Sequence, residues 1–393
     1  MLTLFVAFSV TLVLRVLVEP TGFVTPDSEY YLECAQNLLA GRGYQRSDAY
    51  PIPEPRDDSI QVFFSVWPVG YPTLIAAAAF LTGFSPFWAS KLLNVLILGG
   101  IFLVLRRWCG ADAWKPALLF TSGSLIDVFS TTWSEVPFLL ILLLFVRQLH
   151  RWERRPTLAV GGLLLLTGWG LFVFRYVGGF AFIVTGLWGV RRWWLGERRS
   201  AAGLLLVTIV GVTGALAYFA MNYYVGGTWS GGQRLYPEQE TWPYFLSGLV
   251  RAVVGEWVIP KVYAANLPLV SWLRQPFLVQ SVLLIWAGWR VRRRDIRPFS
   301  LRPGAMILTM WGVAAVYFVV IVAARRLSPF DPLGARMFSP ATLLFGVGLL
   351  WHLAECPRLW RAVRAPVLLL FLYAYFINTP KRIVLEWVQS LFA

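Results

Sequence analysis

Apolar residues fill most of the chain, in long runs separated by short polar stretches. Runs long enough, or nearly long enough, to cross a bilayer occupy residues 2–18, 90–105, 113–130, 136–149, 158–174, 180–190, 201–221, 277–289, 305–323, 338–353 and 367–376. Several fall short of the roughly 20 residues of an ideal span, so their ends must extend into flanking aromatic residues. The run 71–84 is also apolar, but Pro68, Gly70 and Pro72 bend the chain as it enters. The pattern predicts an all-α polytopic membrane protein. In the first polar stretch, TPDSEYYLECAQNLLAGRGY at residues 25–44 reads as an amphipathic helix. Thr25 suits the N-cap, Pro26 the first helical position, and Asp27 and Glu29 the positive helix end. Tyr31, Cys34, Ala35, Leu38 and Leu39 share an apolar face, Glu33 lies among them in sequence, and Gly41 and Gly43 end the helix.

Composition agrees: only 14% of residues are charged, against about 25% in soluble domains, and the mean hydropathy is +0.62. The net charge of +15 does not point to nucleic acid, because no basic tail or groove-reading motif accompanies it. The arginines instead cluster between apolar runs: Arg106-Arg107; Arg147, Arg151, Arg154 and Arg155; Arg191, Arg192, Arg198 and Arg199; residues 290–302; and Arg358, Arg361 and Arg364. All face the cytoplasm if there are eleven spans, the N-terminus is inside, the C-terminus is outside, and 71–84 lies on the outer surface without crossing. The inner side then carries about +15 and the outer side is about neutral, so the acids gather outside. A single membrane domain, 1–393, is expected, with outer loops at 19–91, 222–276 and 324–335 and no separate soluble domain. The first apolar run lacks a basic n-region and a small-residue cleavage site, and reads as a retained span. Cys34, Cys109 and Cys356 form no CxxC or metal cluster, and His150 and His352 sit at the ends of apolar runs beside basic residues.

The candidate chemistry lies on the outer side. Glu135, in TTWSEVPF, begins one span, and Asp127 sits slightly deeper at the end of the preceding one. Each has an ordinary reading: a helix-start acid for Glu135, and a cavity-lining or arginine-paired acid for Asp127. Arg15, Arg175 and Arg336 lie at outer ends of spans, against the positive-inside trend. Singly they read as snorkelling side chains; together they could frame an anionic group such as a lipid phosphate. Arg234 and Lys261 in the large outer loop are weaker candidates.

Taken in order, these pieces resemble the GT-C membrane glycosyltransferases, most closely the bacterial branch related to protein O-mannosyltransferases and lipid A aminoarabinose transferases. The resemblance runs through P-D-x-x-x-Y (Pro26, Asp27, Tyr31), A-x-N-L-x-x-G-x-G-Y (Ala35 to Tyr44) and P-x-G-Y-P (Pro68 to Pro72). It continues through the acid of EVPF (Glu135), R-Y-x-G (Arg175, Tyr176) and R-x-x-x-P (Arg336, Pro340). In several branches the first acid is followed by another; here Asp27 is followed by Ser28. Several relatives carry a soluble C-terminal domain; this chain ends at Ala393 after a short amphipathic tail, so acceptor recognition is expected to fall to the loops. The resemblance implies a polyprenyl-phosphate-linked sugar donor, an acceptor that is a glycan, lipid or protein, and inversion at the anomeric carbon. It implies a site on the outer face of a bacterial inner membrane. It makes Asp27 the expected base, with Glu135 positioning the acceptor or sharing the proton. Arg336 and then Arg175 are the expected phosphate ligands, ahead of Arg15, Lys261 and Arg234. Glu29, Tyr31, Tyr71, Asp127 and Tyr176 are expected to line the substrate cavity. The resemblance fixes no certain cofactor and leaves room for a divalent metal. A transporter or lipid flippase, or a non-catalytic binder of lipid-linked sugar, is the rival reading. Transporters tend to show repeats and polar midplane helices. This chain shows no repeat, and its polar groups gather at span ends.

Overall fold

The computed structural model describes residues 1–48, 57–231, 240–260, 269–296, 303–327, 333–380, 386 and 389–390. Helix α1 (Leu2–Val18) leads through a short 3-10 turn into α2 (Pro26–Leu39). The expected cap is present: the Thr25 hydroxyl accepts from the Ser28 N–H at 3.4 Å, Pro26 opens the helix, and Gly41 and Gly43 leave it at positive φ of 72° and 79°. Tyr31, Cys34 and Ala35 are buried as predicted, while Leu39 is exposed.

An all-α body is accompanied by one unpredicted element, an antiparallel ribbon of β1 (Gln45–Asp48) and β2 (Asp57–Phe63). Its anchors are tertiary. The Glu33 carboxylate accepts from the Ser47 N–H at 2.6 Å and the Ser47 hydroxyl at 3.0 Å. Asn37 Nδ2 donates to the Gln45 carbonyl at 2.7 Å and its Oδ1 accepts from Arg42 at 2.9 Å. The A-x-N-L-x-x-G-x-G-Y run is thus the join between helix and ribbon.

Next comes α3 (Gly70–Thr82), followed by α4 (Pro86–Cys109), α5 (Trp114–Ala117), α6 (Gly123–Ser130) and α7 (Glu135–Arg154). Gly70 is required where α3 crosses the segment at Val173, since a Cβ there would lie 2.6 Å from the Val173 carbonyl oxygen. The run 113–130, expected as one span, is broken: Ser122 adopts an extended conformation between a 3-10 turn and α6. From α6 the chain bends by 116° into α7. Then follow α8 (Leu158–Phe174), α9 (Phe180–Trp194), α10 (Arg198–Gly226), α11 (Trp242–Trp257), α12 (Leu269–Arg293), α13 (Ala305–Leu327), α14 (Ala335–Glu355) and α15 (Pro357–Asn378). The loop expected at 222–276 therefore holds a helix, α11, and gives up its end to α12, which contains Pro276.

Helix α7 forms the core. Phe138, Leu139, Leu142, Leu143, Phe145, Val146 and Leu149 are all fully buried, against α4, α8, α13 and α14. It can be apolar all round because it meets protein on every side. By contrast Leu206, Ile209, Val210 and Leu216 of α10 are exposed, as a face toward lipid requires. Among the described residues, five helical runs are long and apolar enough to cross a membrane, or six if α6 and α7 count as one. That is fewer than the eleven expected: α1 and α8 have 17 residues and α9 has 15, α12 has 25 but is not among the five or six, and the run 113–130 is broken. Helix α3 has 13 residues, a rise of about 20 Å.

Packing and burial each generate a prediction here. A Cβ on Gly178 would collide with the Leu171 backbone, whereas one on Gly179 would meet only a Phe172 ring carbon at 3.8 Å. Gly178→Ala should destabilise by about 1–3 kcal/mol or more and Gly179→Ala by far less, read by thermal unfolding in detergent. Equal melting temperatures would contradict this packing. Burial, with Glu33 adding, pushes the Cys34 thiol up to about 12. Thiolate is then scarce below that pH, so maleimide at pH 8 should modify Cys34 only after unfolding, as mapped by peptide mass spectrometry.

Candidate functional site

Four chain segments meet at one end of the bundle: the first turn of α2, the first turn of α7, the end of α8 and the first turn of α14. Arg336, in the first turn of α14, donates through Nη1 to Asp27 of α2 and through Nε to Glu135 of α7. Its guanidinium lies 5.0 Å from the centre of the Trp133 ring, and its Nη2 makes no hydrogen bond among the described residues. Arg175 pairs with the same Glu135 oxygen, and its Nη2 donates to Met337 Sδ at 3.4 Å. Glu135 is fully buried; its second oxygen has no hydrogen-bond partner among the described residues. Two guanidiniums therefore face two carboxylates, and the cluster is close to electroneutral.

Local backbone chemistry explains each placement. Arg175 is the C-cap of α8, in extended conformation, and the turn Tyr176–Gly179 folds back over the helix end. Only glycine fits at 178, which accounts for the glycine of R-Y-x-G. In α14, Pro340 cannot donate to the Arg336 carbonyl four residues earlier, and the Ser339 hydroxyl donates to it instead at 2.9 Å. The Tyr317 hydroxyl donates to the Met337 carbonyl at 2.8 Å. The first turn of α14, ahead of its proline, is thus held by two hydroxyls.

A cavity of about 410 Å³ opens beside the cluster. Arg175, Arg336, Tyr31 and Ser134 form its polar end, and Phe180, Ile183, Val320 and Ile321 of α9 and α13 form its apolar wall. Tyr31 hydrogen-bonds Ser134 at 3.0 Å and packs edge-on against Tyr71, ring centres 5.1 Å apart. Burial, and then the Asp27 charge, push the Tyr31 phenol well above its ordinary value, so it stays protonated.

Of the candidates read from the sequence, Asp27, Glu135, Arg175, Arg336 and Tyr31 come together. Tyr176 lines the cavity, donates to the Ser65 carbonyl at 2.7 Å and accepts from Asn222 at 2.9 Å. Tyr71 is buried behind Tyr31 and is not part of the lining. Arg15 and Asp127 pair with each other at 2.6 Å, and neither lines the cavity. Glu29 is exposed and is not part of the lining. Arg234 and Lys261 lie outside the described residues. Ser28 is buried and donates to the Thr132 carbonyl at 3.0 Å, a bond that an ionised carboxylate could not make.

Sequence reasoning overlooked Trp133, Ser134, Tyr317 and Lys91. Ser90, Lys91 and Asn94 offered a signal, a polar stripe on one face of an apolar helix. As for a metal, no group of three His, Cys, Asp or Glu side chains forms among the described residues. An ion held by Asp27 and Glu135 would first have to displace Arg336.

No protein-family model and no curated protein matches the sequence. Among solved structures, the crystal structure of ArnT from Cupriavidus metallidurans bound to undecaprenyl phosphate matches with a TM-score of 0.53. The identity is 15%, over 91% of this chain and 60% of that one. Its apo form matches at a TM-score of 0.47 and 13% identity, over 90% and 60%. The chain thus spans about 60% of the length of the ArnT it matches. With its candidate spans, it is an integral membrane protein whose fold is similar to that of ArnT.

Proposed function

We propose that the protein is a glycosyltransferase that moves a sugar from a polyprenyl-phosphate carrier to an acceptor at the outer face of a bacterial cell membrane. The observation that carries this reading is that Arg336, which bridges Asp27 and Glu135, lines a cavity with one polar end and one apolar wall, while the two carboxylates lie behind it and outside the lining. A lipid-linked phosphate needs both surfaces together. The undecaprenyl phosphate bound to the ArnT of like fold supports the same ligand class. The arginine-rich helix ends, such as Arg106-Arg107 of α4 and Arg151 and Arg154 of α7, lie opposite the site. This supports a site on the outer face, opposite the arginine runs.

In the proposed reaction the acceptor nucleophile attacks the anomeric carbon from the side opposite the phosphate. The bond from that carbon to the phosphate oxygen breaks and its electron pair leaves with the phosphate, inverting the centre. The acceptor proton passes to the Asp27 carboxylate. The donor is a phosphodiester with one negative charge, and the departing monoester carries about −1.5 to −2. Arg336 and Arg175 therefore hold the leaving group more strongly than the substrate, which is what lowers a barrier. Glu135, buried beneath both arginines, aims them; it does not meet the acceptor.

Labelled polyprenyl-phosphate sugar in nanodiscs, with acceptor extracts, tests the roles. Asp27→Asn should lower kcat by about 10²–10⁴ with little change in donor KM. Unchanged transfer would sink the base assignment. Arg336→Lys keeps the charge but loses the forked geometry, and should lower kcat/KM about 10²-fold. Arg336→Ala should in addition destabilise the fold by about 3–5 kcal/mol, since it removes the guanidinium that Asp27 shares with the buried Glu135. Transfer kinetics in both variants that match wild type would overturn the phosphate role. Movement of intact lipid-linked sugar across the bilayer, with no transfer, would favour a flippase instead.

A further inference from the structure

Lys91 is 6% exposed, near the start of α4, and pairs with no carboxylate among the described residues. A buried ammonium without a counter-ion is costly, so its three protons must find other acceptors. They do. Lys91 Nζ donates to the Ser130 carbonyl at 2.8 Å, the Thr132 hydroxyl at 2.9 Å and the Phe23 carbonyl at 3.4 Å, and lies 4.8 Å from the Phe87 ring centre. Phe23 precedes Asp27 by four residues, and Thr132 precedes Glu135 by three. One side chain thus grips both segments that carry the carboxylates.

Its neighbours complete the grip. The 116° bend between α6 and α7 leaves the carbonyls of 129–132 without helical partners, inside the protein. Asn94 Nδ2 donates to the Phe129 carbonyl at 2.8 Å and the Thr131 carbonyl at 3.0 Å. Lys91 takes the Ser130 carbonyl and Ser28 the Thr132 carbonyl. The Ser90 hydroxyl donates to the Phe87 carbonyl at 2.7 Å and can accept from the Thr132 hydroxyl at 2.8 Å, which itself accepts from Lys91. All four carbonyls are satisfied by side chains, three of them from α4. Across the gap, the Thr132 N–H donates to the Phe23 carbonyl at 3.4 Å and Trp133 Nε1 to the Thr25 hydroxyl at 2.9 Å.

We propose that Lys91, together with Ser90 and Asn94, is a positioning cluster that sets the spacing between the Asp27 and Glu135 segments and so allows Arg336 to bridge them. The activity arm of its test rests on the transferase reading above; the exchange arm does not. Lys91→Met keeps the aliphatic stem and removes the donors. It should lower kcat about tenfold or more with donor KM nearly constant, since the cavity wall on α9 and α13 is untouched. Backbone hydrogen exchange should speed up at residues 24–29 and 130–134 and stay unchanged in α9 and α13. Thr132→Val, close in shape, should shift both readouts the same way by less. The double variant should do little more than Lys91→Met alone, because the two residues share one hydrogen bond. A folded Lys91→Met with kcat within about twofold of wild type, a rise in KM alone, or fully multiplicative effects would overturn the proposal. Should Lys91→Met not fold, Thr132→Val carries the same test. Should the wild type transfer no sugar, the function reading fails, and unchanged exchange at 130–134 would overturn the clamp separately.

Discussion

Arg336 between Asp27 and Glu135 is the interaction on which the rest of the site depends. It joins segments 309 and 201 residues apart in the chain. Glu135 is wholly buried, and a carboxylate without partners at that depth would be expensive. Arg175 and Arg336 remove that cost by pairing with it. In turn the arginines are held by the acids. Among the described residues, removing any one of the four unbalances the charge of the others, so the starts of α2, α7 and α14 and the end of α8 must arrive in register.

Arrival in register is a backbone problem, and the irregularities of the fold gather where it is solved. The extended residue Ser122, the 116° bend into α7, the glycine-tight turn after Arg175 and the proline in α14 all serve this end of the bundle. Each break frees carbonyls that water would otherwise satisfy. Here side chains do so: Asn94, Lys91 and Ser28 at the bend, and Ser339 at the proline. At the other end the helices run out into arginine: Arg106 and Arg107, Arg151 and Arg154, Arg191 and Arg192. There the chemistry is less demanding, and Glu153 gathers Trp188 and Thr309 as a polar staple.

Much of the site is legible in the amino-acid sequence, and the reasons are local. Thr25, Pro26, Gly41 and Gly43 obey capping chemistry that does not depend on tertiary context. Asp27, Glu135, Arg175 and Arg336 are recognisable as charges at span ends on the side opposite the arginine runs, and sidedness alone brings such residues near one another. What is not legible depends on distant partners. Arg15 and Asp127 look like candidate ligands because nothing in the sequence shows that they neutralise each other. The ribbon at 45–63 has weak strand character and exists because Glu33 and Asn37 hold it. The depth of Glu135 and its pairing with two arginines are likewise set by distant partners and not by its place at a helix start.

Electroneutrality of the four-charge cluster has a mechanistic consequence on the proposed reading. A carboxylate bonded to a guanidinium is a weak proton acceptor, because protonating it discards the ion pair. Asp27 in the grip of Arg336 is therefore a restrained base. An incoming phosphodiester competes for the same guanidinium, first at Nη2 and then, as charge builds on the departing phosphate, more strongly at Nη1. Each increment of negative charge on the leaving group draws Arg336 away from Asp27 and makes that carboxylate a better acceptor for the nucleophile's proton. Bond cleavage and deprotonation are thereby coupled through one side chain. That coupling requires the two carboxylates to be close enough for a single guanidinium to span, which is the spacing that the α4 polar stripe maintains.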